Sequence, residues 1–210
     1  MSSIVTITGP SCAGKSTLET ILKGLGFASI ISTTTRPKRL GEVDGESYYF
    51  MTPAAFALAK EEGQFIESIE FNGNLYGVSV EEVNRVLAMG KPIVLIVEPH
   101  GLIQMRQYAQ AHDLDLYSYF ITNPADVIAK RFLARFAQQI VNVRSNVDAV
   151  LDNYYPRLAV MMEEERDWIN VTDDGEGIYD LILPSFNEGN LDKITQDIAT
   201  KFLNTESVAV

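Results

Sequence analysis

Short apolar runs alternate along this chain with longer segments in which apolar residues recur at helical spacing. The strand-like runs are residues 4–7, 27–31, 93–97, 116–121 and 168–171. Apolar runs of this length between amphipathic helices are typical of buried parallel strands. The pattern therefore predicts an α/β fold, a doubly wound parallel sheet with helices on both faces.

The segment from Ser32 to Ser79 departs from this alternation. It holds short β-like stretches, a helix start at Thr52-Pro53, and the pair Asn72-Gly73, which favours a tight hairpin turn. We therefore predict an inserted antiparallel lobe. The residues 79–82, Ser-Val-Glu-Glu, match a capping box, so a helix is expected to return the chain to the main sheet and to end near Gly90.

Length and composition limit the number of domains. The chain has 210 residues, of which 46% are hydrophobic, which suits one buried domain with a subdomain. We predict a single domain over residues 1–204 and a tail over 205–210. Within it we expect a core of 1–31 and 80–204, a lobe of 32–79 and a lid at about 126–146.

Charge and cysteine content exclude several functions. A net charge of −11 argues against polymeric nucleic acid as a partner, because binding to a phosphate backbone needs clustered Lys and Arg. Cys12 is the single cysteine, so no intrachain disulfide is expected. No apolar run approaches the roughly 20 residues of a membrane span. We expect a cytoplasmic protein with no membrane partner.

A glycine-rich loop between the first strand and the first helix is the strongest chemical signal. Residues 9–16 read G-P-S-C-A-G-K-S and fit G-x-x-x-x-G-K-[ST]. In such a loop, backbone N–H groups surround phosphate oxygens at the positive end of a helix. The residues expected at the phosphates are Gly9, Ser11, Ala13, Gly14, Lys15, Ser16 and Thr17. The loop predicts a site for a nucleoside triphosphate, with Lys15 at the β and γ phosphates and the Ser16 hydroxyl on Mg²⁺.

A basic cluster opens the inserted lobe. Arg36, Lys38 and Arg39 are three of only 17 basic residues in this acidic chain. The planar guanidinium of arginine can bind a phosphate through two hydrogen bonds, so Arg36 and Arg39 suit a monophosphate facing the triphosphate loop. A solvated basic loop is the alternative interpretation.

Three segments of the lobe resemble the guanylate kinase family: S-T-T-T-R-P-K-R-L-G-E-V-D-G-E-S-Y-Y-F at 32–50, F-I-E at 65–67 and G-N-L-Y-G at 73–77. The resemblance extends over about 4–203. It implies a P-loop NTPase-type doubly wound parallel sheet with an inserted mixed or antiparallel lobe that binds a nucleoside monophosphate, and a helical lid.

The same resemblance implies roles for individual residues. It assigns the acceptor phosphate to Arg36, Arg39, Tyr48 and Tyr76. It assigns the guanine base to Glu67 and Ser32, and it places Gly77 and Val78 in the acceptor site. The chemistry agrees, because a carboxylate can accept two hydrogen bonds from guanine and a hydroxyl can donate to its carbonyl oxygen.

The chain departs from the family at the base-binding end. Val78 stands where the family usually has a serine or threonine, and the loss of that donor would cost about 1–3 kcal/mol of base discrimination. Either other bases are then accepted, or Ser79 substitutes. At the end of the strand at 93–97 the family shows two acidic residues one apart, where this chain has Ile96 and Glu98. Glu98 is expected to orient water on Mg²⁺ or to approach the base.

Basic residues on a later helix are expected to form the lid. Arg131 and Arg135 share one helical face with Lys130 nearby, and phosphoryl transfer needs charge neutralisation more than a chemical base. The resemblance adds Arg144 as a further lid arginine. It also places Thr172 near an asparagine that contacts the donor base in the family.

These observations predict transfer of the γ-phosphoryl group from ATP to GMP or dGMP with Mg²⁺. One alternative is a kinase with different or relaxed base specificity, which Val78 and Ile96 suggest. A second alternative is a non-catalytic guanylate-kinase-like protein-interaction domain, which the intact phosphate loop disfavours. A homodimer is possible.

Overall fold

The computed structural model describes residues 3–38, 41–71, 73–142, 167–173, 176–187 and 189–203. Arg39, Arg144, the end of the expected lid at 143–146 and the expected tail at 205–210 lie outside these ranges. In chain order, the elements are β1 (Ser3–Thr8), α1 (Lys15–Gly24), β2 (Ala28–Ser29), β3 (Thr33–Thr34), β4 (Tyr49–Phe50), α2 (Pro53–Glu61), β5 (Phe65–Phe71), β6 (Asn74–Ser79), α3 (Val80–Leu87), β7 (Ile93–Ile96), α4 (Pro99–Ala111), β8 (Asp115–Ile121), α5 (Ala125–Asn142), β9 (Thr172–Asp173), β10 (Glu176–Gly177), β11 (Leu181–Leu183) and α6 (Leu191–Leu203).

The central sheet has five strands in the order β11-β8-β1-β7-β2, and every pair is parallel. Alternate residues of β1 face opposite sides, as strand geometry requires. Val5 and Ile7 pack in the cluster formed with α1 and α6, whereas Ile4 packs in the cluster formed with α3 and α4. All three side chains are completely buried. The doubly wound parallel sheet predicted from the sequence is confirmed.

One predicted strand is wrong. Residues 167–169 are helical, and the Val171 amide donates to the Trp168 carbonyl at 3.3 Å, which closes a turn. The fifth strand is β11 instead, which pairs with β8 with Leu181 opposite Tyr119. The apolar run at 168–171 fits a turn as well as a strand, because so short a run has no diagnostic period.

The inserted segment forms a second sheet, in the order β4-β3-β6-β5. Its β5–β6 and β3–β6 pairs are antiparallel and its β3–β4 pair is parallel, which confirms a mixed sheet. The rings of Phe56 and Phe65 stack with centroids 4.4 Å apart. A Cβ atom on Gly77 would lie 2.9 Å from Phe65 and 3.1 Å from Phe56, so glycine lets this ring pair pack against β6.

The helix that returns the chain to the core uses only half of the expected capping box. The Ser79 hydroxyl accepts from the Glu82 amide at 3.1 Å, as predicted. The Glu82 carboxylate instead accepts from the Ile31 amide at 2.9 Å, at the end of the core segment that precedes the lobe.

None of the helices among the described residues combines the length and apolar character that a membrane span requires.

Candidate active site

A cleft of about 850 Å³ brings most of the predicted site residues together. Those lining it are Ser11, Ala13, Gly14, Lys15, Ser16, Thr17, Ser32, Arg36, Tyr48, Glu67, Tyr76, Glu98, Arg131 and Arg135. Gly9, Gly77 and Val78 are not among its lining residues, and Arg39 and Arg144 lie outside the described residues. The glycine loop, the inserted lobe and the helix after β8 therefore meet at one cavity.

The glycine loop joins β1 to α1 and requires glycine at both ends. A Cβ atom on Gly9 would lie 2.8 Å from the Ile121 carbonyl oxygen, so no larger residue fits there. Gly14 has φ 106° and lies directly before α1, with the Phe186 ring 3.0 Å from the place of its absent Cβ. These two positions set the loop's course over the carboxyl end of β1.

The ammonium group of Lys15 lies over the loop. Its Nζ atom donates to the carbonyl oxygens of Gly9 and Pro10, at 2.9 Å for Pro10. Ser16 and Thr17 occupy the exposed first turn of α1, where the helix dipole favours negative charge. The loop thus offers one cation, hydroxyl groups and a helix N-terminus to the same part of the cleft.

Arg131, predicted as a lid residue, is bonded to the loop itself. Its Nη1 atom donates to the Ala13 carbonyl at 3.1 Å and to Asn123 Oδ1 at 2.9 Å, and its Nη2 atom donates to the Phe186 carbonyl at 2.7 Å. Arg131 therefore fixes the carbonyl side of the loop. Arg135 lines the cleft one turn further along α5 and is exposed.

Asn123 and Ser185 extend this network, and sequence reasoning missed both. The amide of buried Asn123 donates to the Ala13 carbonyl at 3.3 Å, and the Ser185 hydroxyl donates to Asn123 Oδ1 at 2.7 Å. Both residues follow parallel strands, Asn123 after β8 and Ser185 after β11. The sequence signal was available, because loops at the carboxyl ends of parallel strands carry ligand sites in this class of sheet.

Arg36 belongs to a compact cluster on the lobe. It donates two hydrogen bonds to Glu42, at 2.7 and 3.0 Å, and its guanidinium carbon lies 5.3 Å from the centroid of the Tyr48 ring. The rings of Tyr48 and Tyr76 meet edge to face at 6.2 Å. Three of the four residues predicted for an acceptor phosphate are therefore neighbours, and Glu42 is a partner that the sequence did not reveal.

Two carboxylates, one from the lobe and one from the core, also line the cleft. Glu67, on β5, is only 7% exposed, and Glu98 follows β7. Burial and, second, the charge of Glu98 raise the pKa of Glu67 to about 7. A Cβ atom on Gly101, in the first turns of α4, would lie 2.9 Å from Glu67 Oε2. The position of this carboxylate therefore depends on a glycine of the neighbouring helix.

The structure separates two other predicted residues from the cleft. Val78 is opposite Glu67 in the β5–β6 hairpin and is completely buried in the cluster with Val83 and Leu102. Thr172 lies on the exposed hairpin β9–β10 and does not line the cleft. Residues that line the cleft but were not predicted include Trp168, Phe186, Asn187 and Leu191.

Among the described residues, no group of three His, Cys, Asp or Glu side chains is placed to hold a metal ion. The fold and the site define a class: an α/β P-loop nucleotide-binding protein whose cleft is lined by the glycine loop, by the Arg36 cluster of the lobe and by the carboxylates of Glu67 and Glu98. The family profile for guanylate kinase matches residues 1–165. The chain belongs to the guanylate kinase family.

Curated relatives agree with this assignment, and a solved structure has the same fold. The chain is 43% identical over 105 residues to the guanylate kinase of Nostoc sp. strain PCC 7120, which covers 49% of this chain and 53% of that protein. It is 36% identical over 137 residues to the guanylate kinase of Chlorobium chlorochromatii, covering 63% and 70%. The chain spans 53% to 66% of the length of the first three curated relatives it matches. The crystal structure of guanylate kinase from Anaplasma phagocytophilum has the same fold, with a TM-score of 0.63 at 20% identity, covering 97% of this chain and 88% of that one.

Proposed function

We propose that this chain transfers the γ-phosphoryl group of ATP to GMP or dGMP. The observation that carries the proposal is the single cleft lined by Lys15, the Arg36 cluster and Glu67. A kinase of this type needs a site for the donor phosphates, a site for the acceptor phosphate and a group that recognises the acceptor base. Membership of the guanylate kinase family supports the same activity.

Lys15 and the glycine loop are proposed to bind the donor phosphates. The carbonyl oxygens of Gly9 and Pro10 hold the ammonium of Lys15 over the loop, where a triphosphate would exchange these contacts for its own oxygens. The chain fits Mg²⁺ through the exposed Ser16 hydroxyl, since this ion is usually bound by few protein ligands together with phosphates and water. When bound, the ion would neutralise charge on the transferring group.

Arg36, Tyr48 and Tyr76 are proposed to bind the acceptor phosphate, together with Arg39. Glu42 now occupies the guanidinium fork of Arg36 at the geometry a phosphate would use. The acceptor must therefore displace or share this pair, and Glu42 keeps Arg36 oriented until the acceptor arrives. Gly77 is proposed to support this site indirectly, because it lets Phe56 and Phe65 pack against β6 of the lobe.

Glu67 is proposed to read the guanine base. In its ionised form the carboxylate accepts from the ring N–H and the exocyclic amine, and Ser32 donates to the carbonyl oxygen. Because the pKa of Glu67 is raised to about 7, guanine binding is expected to strengthen as the pH rises through 7. The charge of Glu98 contributes to the raised pKa of Glu67, so we expect Glu98 to lie near the bound base as well.

Arg135 and Arg144 are proposed to close over the transferring group, whereas Arg131 acts from the loop it is bonded to. Charge neutralisation and exclusion of water would then supply most of the catalysis. The division into a core of 1–31 and 80–204, a lobe of 32–79 and a lid at about 126–146 belongs to this proposal. The cytoplasmic location and a homodimer stay predictions.

A panel of nucleoside monophosphates with ATP and Mg²⁺ tests the proposal. We expect GMP and dGMP to be phosphorylated fastest, and turnover to be lost in Lys15→Ala. Equal turnover of several nucleoside monophosphates would favour the kinase with relaxed base specificity. The buried side chain of Val78 supports that alternative, because valine cannot donate a hydrogen bond to the base. No turnover with any monophosphate, in wild type as in Lys15→Ala, would favour the protein-interaction domain.

A further inference from the structure

Glu82 lies where the inserted lobe joins the core. The chain leaves the core after Ile31 and returns at Val80, where α3 begins. The carboxylate of Glu82, one turn into α3, accepts from the Ile31 amide at 2.9 Å. One side chain therefore links both connections between lobe and core.

The same carboxylate also contacts the lobe itself. The Tyr49 hydroxyl, on β4, donates to Glu82 Oε2 at 3.1 Å. The Tyr49 amide donates to the Ser32 carbonyl at 2.9 Å, within the β3–β4 pair. Ile31 and Tyr49 are thus the immediate chain neighbours of Ser32 and Tyr48. Both of these neighbours, Ser32 and Tyr48, line the cleft.

Arg85 fixes the charge and the orientation of this carboxylate. Its Nε and Nη2 atoms donate to the two oxygens of Glu82 at 2.7 and 2.8 Å. Glu82 is 2% exposed, so its hydrogen bonds are shielded from water. Burial alone would raise the pKa of Glu82, but the hydrogen bonds from Arg85 and Ile31 outweigh it and keep the pKa below its usual range.

We propose that Glu82 is the positioning residue of the acceptor lobe. By holding Ile31 and Tyr49 on one carboxylate, it sets the angle at which the lobe presents Ser32 and Tyr48 to the cleft. Among the described residues, its carboxylate accepts hydrogen bonds from Ile31, Tyr49 and Arg85, none of which is proposed to bind the donor. This inference rests on the proposed function, because it assigns Glu82 to the acceptor and not to the donor.

Steady-state kinetics with ATP and GMP separate this role from general stabilisation. We expect Glu82→Gln to raise KM for GMP about tenfold and Tyr49→Phe, which removes only the lobe contact, about threefold. KM for ATP should stay unchanged in both. Glu81→Gln is the matched control, since it removes the same charge from an exposed neighbour on α3 and should alter neither constant. Equal rises in both Michaelis constants, or a lowered Tm with KM for GMP unchanged, would overturn the proposal.

A distance measurement without substrate makes the test independent of turnover. Spin labels at Leu58→Cys on α2 and Lys193→Cys on α6, in a Cys12→Ser background, report the separation of lobe and core. We expect a broader distance distribution in Glu82→Gln than in Glu81→Gln, and an unchanged distribution would contradict the role of Glu82. If wild type phosphorylates no monophosphate, the proposed function fails, and this distribution alone decides the role of Glu82.

Discussion

The two ends of the cleft for which phosphate binding is proposed are constructed differently. The loop end is shaped by the backbone: Gly9 and Gly14 are required by close contacts and a positive φ, and Arg131 and Asn123 bind the carbonyl of Ala13. The lobe end is shaped by side chains that bind one another, such as the paired charges of Arg36 and Glu42.

This difference separates the recognition of phosphate, which all nucleotides share, from the recognition of one particular base. A backbone loop recognises phosphate and is indifferent to the rest of the nucleotide. Side-chain clusters such as the one proposed for Glu67 and Glu98 can distinguish one base from another, and they can change with a few substitutions. The donor end should therefore respond to mutation by losing catalysis, and the acceptor end by losing selectivity.

Lys15→Ala should have the largest effect. We expect kcat to fall by about a thousandfold or more, because the lysine supplies positive charge where negative charge moves between phosphates. The Tm should change little, since the contacts of Lys15 are to loop carbonyls at a partly open site. Kinetics and thermal melts measure both, with Lys193→Ala on the exposed face of α6 as control. Retained turnover in Lys15→Ala would remove the loop from the mechanism.

Glu67→Gln should instead alter the choice of acceptor. We expect the preference for GMP over AMP, measured as a ratio of kcat/KM, to fall by about ten- to a hundredfold, because an amide cannot accept both guanine donors. KM for ATP should not change. Glu70→Gln, on the same strand and exposed, is the matched control. An unchanged preference in Glu67→Gln would assign base recognition to another residue.

The raised pKa of Glu67 also predicts a pH dependence of stability. The folded protein holds this proton up to about pH 7 and the unfolded chain only up to about 4.5, so Glu67 lowers the free energy of unfolding as the pH rises between these values. Relative to wild type, Glu67→Gln should become more stable from pH 5 to 8, by about 2–3 kcal/mol at most. Urea titrations at several pH values measure this difference. A constant difference across that range would contradict the buried, protonated carboxyl.

Asn123→Ala should give the smallest of these effects, and at the donor end only. Loss of its hydrogen bond to the Ala13 carbonyl, and of the two that it accepts from Arg131 and Ser185, should loosen the loop and raise KM for ATP by up to about tenfold. KM for GMP should not change. Asn84→Ala, exposed on α3, serves as control. A rise confined to KM for GMP would reverse the division between the two ends.

The sequence predicted the backbone-built end well and the side-chain end in part. The loop at 9–16, helix α1 and the parallel sheet follow from local spacing and glycine positions, which are visible in a single chain. Individual side-chain partnerships were not visible in this way. The pairing of Glu42 with Arg36 depends on how the loop between them folds, and the contact of Asn123 with Ser185 depends on two strand ends that lie 62 residues apart in the chain.

Two expectations were displaced by tertiary packing. The run at 168–171 carried no period that could separate a strand from a turn, and β11 took its place in the sheet. Glu82 satisfies the pattern of a capping box, yet its carboxylate accepts from the Ile31 amide and the Tyr49 hydroxyl instead. Sequence spacing identifies which groups can bond locally, and packing decides which partner they take.

Gly101 is a second position at which a mutation could change the proposed base selectivity. A Cβ atom at this position would meet Glu67 Oε2 at 2.9 Å, and that oxygen is the end of a flexible side chain that can move away. A mutation on α4 could therefore redirect the carboxylate while Glu67 itself is retained. In a lineage descending from this chain, substitutions at 67 and 101 would then be epistatic, and the order in which they arise would decide which acceptors remain accessible.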